Sequence, residues 1–347
     1  IDDGLTDTQK SKLAAGKGLR GKRVRFYVGA QNLVWSAFVL TQTQIIDSVD
    51  YQDGVYSFSC SDIQRQMRVD IFDLKKAVLS APISEADTTI NVYSTNGFSR
   101  VKHPATISGD ADAPGQKVGY LKVEVNGEIE IIRYTGTTAT TFTGCTRGVL
   151  GTKPIEVEVN AGTNEYTGPK VEEYVYLELP APMMAYAILT GSIYGEAGEY
   201  LPDHWHLGIS TDYVKTSDFT TIGVDWWDTT NADKGVVAVV KGVKKQDGKK
   251  FLEEQLYRML GAFSPIYSTG ELGLKRLSVV HSSGGYVATL DASNVVKYSS
   301  LTHDMKAVIN KIAIAWNWVE RRQAFTRYNV LIDQGSSDRH GECEILE

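Results

Sequence analysis

Apolar and polar side chains alternate with a period of two at both ends of the chain. Val24, Phe26 and Val28 fall on one face of a strand, and Gly29-Ala30-Gln31-Asn32 is turn chemistry that returns the chain into Leu33–Leu40. Ile45–Val49 and Val55–Ser59 predict two more strands around Tyr51-Gln52-Asp53-Gly54, where Asp-Gly supplies the positive-φ position. Asp62 is placed to cap a short helix through Met67. The opening therefore reads as a four-strand unit followed by one or two helical turns.

From Leu79 to Asn164 the texture changes to Thr, Gly and Val, with turns at Asn96-Gly97, Ala113-Pro114-Gly115 and Asn126-Gly127. Glu128–Tyr134 alternates through Ile129 and Ile131 until Ile132 breaks the phase, and Thr135-Gly136 ends the run. A small all-β module inserted between two parts of a larger domain is expected. After Pro169, Val171–Leu179 predicts a strand; Pro182 suits the first turn of a helix through Met183, Ile188 and Leu189, which Gly191 or Gly195 ends. Leu201–Phe219 reads as irregular, with a short helix near Tyr213. The clearest helical repeat is Lys249–Phe263, carried by Leu252, Leu256, Met259, Leu260 and Phe263, with Pro265 as its stop. Thr269-Gly270 is a hairpin turn within Ile266–Leu277. Asn310 starts a strand with Ile312, Ile314, Trp316 and Trp318 on one face, and Glu320-Arg321-Arg322-Gln323 separates it from a partner, Phe325–Ile332. The fold class is mainly β, a β-rich α+β chain with a few short helices, divided as 1–78, 79–168, 169–262 and 263–347.

Composition adds limits. The 347 residues are 42% hydrophobic and 22% charged, enough to bury a sizeable core and to exclude overall disorder. Met183–Leu189 and Val236–Val240 are far shorter than the roughly 20 apolar residues of a membrane-spanning helix, so no membrane insertion is expected. A formal charge of −6 names no partner. Tyr 18 against Phe 10 and Trp 6, with Gly 32, suits strands and tight turns. Cys60, Cys145 and Cys343 are widely spaced and read as reduced, partly buried residues. The start at Ile1, without a leader, reads as a processed or excised piece.

Candidate chemistry is sparse. His204 and His206 share a strand face if extended, and with Asp203 or Asp212 would be a metal pair; the other reading is a loop anchored by Trp205. Asp225-Trp226-Trp227-Asp228 offers an aromatic platform for sugar with flanking carboxylates, or packing for a sheet or subunit contact. Gly144-Cys145-Thr146-Arg147-Gly148 has the look of an activated-thiol loop, in which Arg147 would lower the thiol pKa, or of a structural turn. Lys241-Gly242-Val243-Lys244-Lys245 with Lys249-Lys250 is a basic stretch, solvated or facing an anionic polymer. No nucleophile elbow, dinucleotide fingerprint or phosphate loop occurs. The residues describe a structural or binding protein; no enzyme, catalytic residue, metal or cofactor is expected.

Three stretches taken in order resemble a known module. Asn91–Phe98, then Gly127–Gly136, then Phe142–Thr152 with its Arg147-Gly148-x-x-Gly151-Thr152 ending, is similar to the β module of many tail-tip and baseplate proteins of long-tailed, siphovirus-like bacteriophages. That family often has a His shortly afterwards, where this chain has Lys153-Pro154-Ile155-Glu156. Asp62–Met67 before Ile71-Phe72, Leu201–Ile209, Gly270–Leu274, Ile309–Ile312 and Asp333–Gly341 resemble successive segments of the central baseplate hub, so the likeness covers most of the chain. The resemblance implies tube-like β domains at both ends, the inserted module at the periphery, and a homotrimer continuing a sixfold tail tube. It implies contacts with the distal tail protein, the tape measure protein and tip or fibre proteins, and DNA passing through without specific binding. The implied location is the virion, assembled in the host cytoplasm. The alternative is a carbohydrate-binding adhesin domain of the tail tip; a cell-wall hydrolase is a third reading.

Overall fold

The structure, a computed structural model, describes residues 18–52, 55–102, 116–160, 162–193, 198–220, 237–276, 310–319, 322 and 324–340. It is mainly β with a few short helices, as expected.

The N-terminal sheet has three antiparallel strands, β1 (Arg23–Val28), β2 (Val39–Gln52) and β3 (Val55–Ser61), in that spatial order. Four strands were expected, but the two middle ones are a single strand. Thr41-Gln42-Thr43-Gln44 is itself β-competent and pairs with β1 through Phe26↔Gln42 and Val24↔Gln44, so β2 continues through it with one register shift, at Thr41. Leu33–Phe38 is not strand; it is a loop with one 3-10 turn at Trp35–Ala37. Asp62 does sit at the N-terminus of the 3-10 turn Ile63–Met67, yet its side chain makes no capping bond. The short strand β4 (Asp70–Ile71) follows.

The module is built from β5 (Lys76–Val78), β6 (Thr89–Asn91), β7 (Val101–Lys102), β8 (Lys117–Val125), β9 (Glu128–Tyr134), β10 (Gly136–Thr137), β11 (Thr141–Thr143), β12 (Thr146–Val149) and β13 (Lys170–Glu173). A six-stranded sheet runs β12-β9-β8-β13-β5, with β7 on β8, and β10-β11-β6 form a second, three-stranded sheet. The broken phase at Ile132 now has a cause: both faces of β9 are covered. Ile131 faces Tyr120, Tyr174 and Tyr176, whereas Ile132 and Tyr134 face a core with Leu121 and Phe142. Tyr134 leaves no room at Gly119, where a Cβ would come within 2.2 Å of the ring.

The expected strand from Val171 to Leu179 is instead two strands of different sheets, β13 and β14 (Tyr176–Pro180), parted at Tyr174-Val175. There the chain leaves the module and enters the principal core. Pro180 then leads into α1 (Ala181–Thr190), with Pro182 in its first turn and Gly191 at φ 81 closing its end. β15 (Val237–Lys241) pairs with β14, and β16 (Gln246–Asp247) with β4.

The predicted second helix runs over Gly248–Phe251, a π-helical stretch Leu252–Tyr257, and Arg258–Leu260. It stops at Gly261, φ 56, before Pro265, and Phe263 lies in β17 (Ala262–Phe263), paired with β18 (Lys275–Arg276). The i→i+5 winding rotates the helix after it. Leu252, Leu256 and Leu260 therefore stay buried while Met259, a predicted core residue, is 57% exposed. Thr269-Gly270 is the expected turn: Gly270 has φ 85 and donates to the Tyr267 carbonyl. β19 (Lys311–Val319) and β20 (Ala324–Ile332) form the expected hairpin, followed by a helix at Gln334–His340.

The principal core joins the N-terminal sheet at Ile45 to the segments from Ile63 through Leu274 outside the module, and its cluster contains no residue of β19 or β20. Ile63, Met67 and Phe72 pack with Leu177, Ile188, Leu252, Leu256 and Leu272. The N-terminal sheet is tied to the rest near the middle of β2: Ile45 enters the core, Thr43 Oγ1 donates to the Ser268 carbonyl at 2.7 Å, Asp47 pairs with Arg65, and the Arg23 guanidinium lies 4.1 Å over the Tyr213 ring while donating to the Asp212 carbonyl.

Candidate functional site

The Arg147-Gly148-x-x-Gly151-Thr152 ending is a clasp. Glu130 on β9, fully buried, takes Arg147 in a two-pronged pair: Nε to Oε1 at 2.7 Å and Nη2 to Oε2 at 2.6 Å. The same carboxylate accepts the backbone N–H groups of Gly148 and Ile155, both at 2.9 Å. Arg147 also donates to the carbonyls of Ile155 and Ser84. Thr152 Oγ1 donates to the Val149 carbonyl and accepts from Ile131 N–H, so the loop is tied to β9 twice. Gly148 turns at φ 63 where a Cβ would meet Pro154 at 2.8 Å.

Cys145 lies in this loop but does not fit the activated-thiol reading. Its side chain is buried and donates to the Phe142 carbonyl, and burial pushes the thiol up to about 11. The Arg147 charge acts downward but is outweighed, because the guanidinium is already committed to Glu130. Cys60 is also raised by burial, and Cys343 lies outside the described residues.

The two histidines diverge. His204 Nε2 is 2.6 Å from Glu173 Oε2, linking the end of the module sheet to the 3-10 turn Asp203–Trp205. Glu173 is 1% exposed, and its Oε1 has no hydrogen-bond partner among the described residues. Phe72, at φ 62, donates its N–H to the His204 carbonyl at 2.6 Å. His206 instead packs on Gly191, and its Nδ1 accepts the Gly208 N–H at 2.9 Å. Trp205 is buried between them, which is the anchored loop rather than the metal pair. Leu207 and Ile209 N–H groups satisfy the last carbonyls of α1, Ile188 and Leu189. Sequence had no signal for Glu173, since its partner lies 31 residues away.

Burial lowers the His206 pKa below its ordinary value, and the Asp203 carboxylate opposes this without overcoming it. The unfolded chain then binds more protons than the folded one as pH falls through about 6.5. The stability this imidazole confers is present above that pH and lost below it. Urea midpoints at about pH 7.5 and about pH 5.5 should differ less in His206→Gln than in the parent chain. An unchanged difference would remove His206 as a source of acid lability.

The basic stretch does not form an anion cradle. Lys244 and Lys245 line an open cleft of about 520 Å³ with Lys76 and Lys122, but Asp73, Glu172 and Glu173 line it too. Lys76 pairs with Glu172 at 3.0 Å, Lys245 reaches Asp70 and Asp73, Lys249 pairs with Glu253 and Lys250 with Glu254. Lys245, Lys249 and Lys250 of the stretch thus each face a carboxylate. Asp225-Trp226-Trp227-Asp228 lies outside the described residues.

Among the described residues, exposed large apolar side chains gather at the two β units outside the module. Phe26, Val28, Leu33, Val34, Trp35, Val39, Val55 and Phe58 are exposed on or beside the N-terminal sheet. On β20 every residue is exposed, including Phe325, Tyr328, Val330, Leu331 and Ile332, and Ile312 and Ile314 of β19 join them. Single exposed apolar residues are ordinary, but so many on the strands of two units suit an interaction surface. Among the described residues no helix is long and apolar enough to cross a membrane. A scan against protein-family models and searches of curated proteins and of solved structures find no match to this chain.

Proposed function

We propose that this chain is a structural protein of a phage tail tip, the central hub whose homotrimeric ring joins the tail tube to tip or fibre proteins. One observation supports the reading beside the sequence resemblance: among the described residues, strands on either side of the insertion carry many exposed large apolar side chains. A two-stranded hairpin such as β19–β20 is marginal alone, and its exposed faces and edges are suited to being covered by neighbouring β structure. Three copies, each with two such units, can present six similar contacts to a tail tube. The tightly clasped module supports a peripheral role, since its clasp residues are consumed within it.

The distal tail protein, tape measure protein and tip or fibre proteins are the proposed neighbours. DNA is proposed to traverse the ring without being held, consistent with the net charge of −6 and the paired lysines. In a filter or anisotropy assay at moderate salt the chain should show no tight duplex binding. Sub-micromolar affinity independent of sequence counts against a passive conduit. Electron microscopy of the parent particle, with antibody against the module, should label the tail tip on the outside of a ring; label on capsid or along the tail shaft would sink the reading. The adhesin alternative rests on Trp226 and Trp227 and gains no support from the described residues.

A further inference from the structure

β1 and the first half of β2 form a two-stranded arm. β3 accompanies β2 only from the Ile45↔Ser61 pair onward, so among the described residues Val39–Gln44 has β1 as its strand neighbour. Thr43, bonded to Ser268, marks the anchored end, and Val39 stands about 13 Å further out along extended strand. Val28 and Val39 face each other there across the ladder, both exposed, and the loop beyond them exposes Leu33, Val34 and Trp35, the last two at 70% and 68%. The tip is nevertheless ordered. The Trp35 ring lies 4.9 Å from Tyr27 and 5.2 Å from Phe38, Phe38 packs on Gly29, and the N–H groups of Ala37 and Phe38 bond to the Val34 and Trp35 carbonyls.

Charge is segregated along this arm. No charged residue lies between Arg25 and Asp47, whereas Arg20, Lys22, Arg23 and Arg25 gather at its base, and Gly18–Ile46 contains neither Asp nor Glu. Arg23 is engaged by Tyr213 and Asp212, and Asp47 by Arg65. Arg20, Lys22 and Arg25 are exposed and form no ion pair among the described residues.

We propose that the Leu33-Val34-Trp35 tip enters the interface of an anionic lipid bilayer, with Arg25 at the level of the headgroup phosphates. Apolar and aromatic side chains outermost, uncharged polar ones behind them and cations last is the order of polarity a bilayer presents from its acyl boundary outward. Trp and Tyr are enriched at that boundary. Interfacial segments sink their apolar side chains about 5–10 Å, and Arg25 lies about 10 Å of strand behind Val28, so depth and spacing agree. Lys22 and Arg20 lie further back than the screening length of roughly 8 Å at physiological salt and add less. Exposed Gln31 and Asn32 and the loop backbone need water or headgroups, which confines the contact to the interface and excludes a crossing. A protein pocket would cover the aromatic tip equally well, but it gives no reason for a cationic base without carboxylates, which anionic headgroups do. The proposal goes beyond the hub reading and uses the loop outside the ladder, leaving the strand faces to neighbouring subunits.

The test uses the whole chain in co-sedimentation with vesicles of phosphatidylglycerol and phosphatidylcholine, and with vesicles of phosphatidylcholine alone. The chain should pellet with the anionic vesicles, and its affinity should fall when phosphatidylglycerol is omitted or salt is raised. Val34→Asp and Arg25→Glu, both at exposed positions, should each lower that affinity about 10-fold or more, with circular dichroism unchanged. Arg258→Glu, an equal change of charge on the second helix, should leave it as it was. No binding to anionic vesicles, or binding that survives both arm variants, overturns the proposal. So does a chain that ignores vesicles while Val34→Asp disrupts association between copies, because the tip is then covered by protein. The hub reading is judged separately, by the place of the chain in the particle.

Discussion

Glu130→Ala should cost the chain about 3–5 kcal/mol of stability, the usual penalty for stripping one member from a buried, hydrogen-bonded ion pair. The side chain removed is fully buried, and three sets of groups lose their acceptor together: the Arg147 guanidinium and the N–H groups of Gly148 and Ile155. Among the described residues Arg147 keeps its bonds to the carbonyls of Ser84 and Ile155, which do not neutralise its charge. The double replacement Glu130→Leu with Arg147→Met removes the orphaned cation and should recover part of the loss. It should not recover all, because the two backbone N–H groups stay unpaired at about 1–3 kcal/mol each. Urea unfolding of the parent chain, both single variants and the double variant gives the coupling directly. A loss below about 1 kcal/mol for Glu130→Ala would show that the clasp is ornamental and that the Arg-Gly-x-x-Gly-Thr pattern needs another explanation.

Pairing Val330→Lys with Leu331→Lys in the C-terminal hairpin should abolish assembly while leaving the fold intact. Adjacent residues of a strand face opposite ways, so the pair places a charge on each face of β20. Both positions are exposed, at 54% and 56%, so neither lysine is buried within a single chain. In an assembled ring the same two ammonium groups would be desolvated against apolar neighbours, and strand lysines are a common natural barrier to unwanted edge pairing. An association constant lowered by at least about 100-fold is expected by sedimentation or native mass spectrometry. Unchanged assembly would show that the hairpin faces solvent in the particle, and the observation carrying the hub proposal would fall.

The two tests separate what each part of the chain is for. The module's polar side chains are spent within it: Arg147, Thr152 and Glu130 are bonded inward, and Cys145 is buried with its thiol pKa raised. The flanking units are the reverse: the N-terminal sheet is tied to the rest through Thr43 and Arg23, and both it and the β19–β20 hairpin carry exposed apolar side chains.

Sequence alone determined the elements whose signal is local. Period-two alternation placed β9 and the β19–β20 hairpin, a proline and a glycine bracketed α1, and Thr269-Gly270 marked its turn. These depend on steric and hydrogen-bonding preferences of residues a few positions apart, which any reader of the chain can count. What needed the tertiary structure depends on residues far apart in the chain. That Val39-Leu40 and Ile45–Val49 belong to one strand, with Leu33–Phe38 left as loop, was decided by pairing with β1 and β3, which carries β2 through Thr41–Gln44. That Ile131 and Ile132 are both buried was decided by layers on each side of β9, and that Met259 is exposed by a π-helical stretch that rotates its face. The fate of the candidate chemistry was likewise non-local: Glu130 claims Arg147 from 17 residues away and Glu173 claims His204 from 31. A charge buried in a folded chain takes whichever partner the packing brings to it, and that pairing is set only when the sheet has closed.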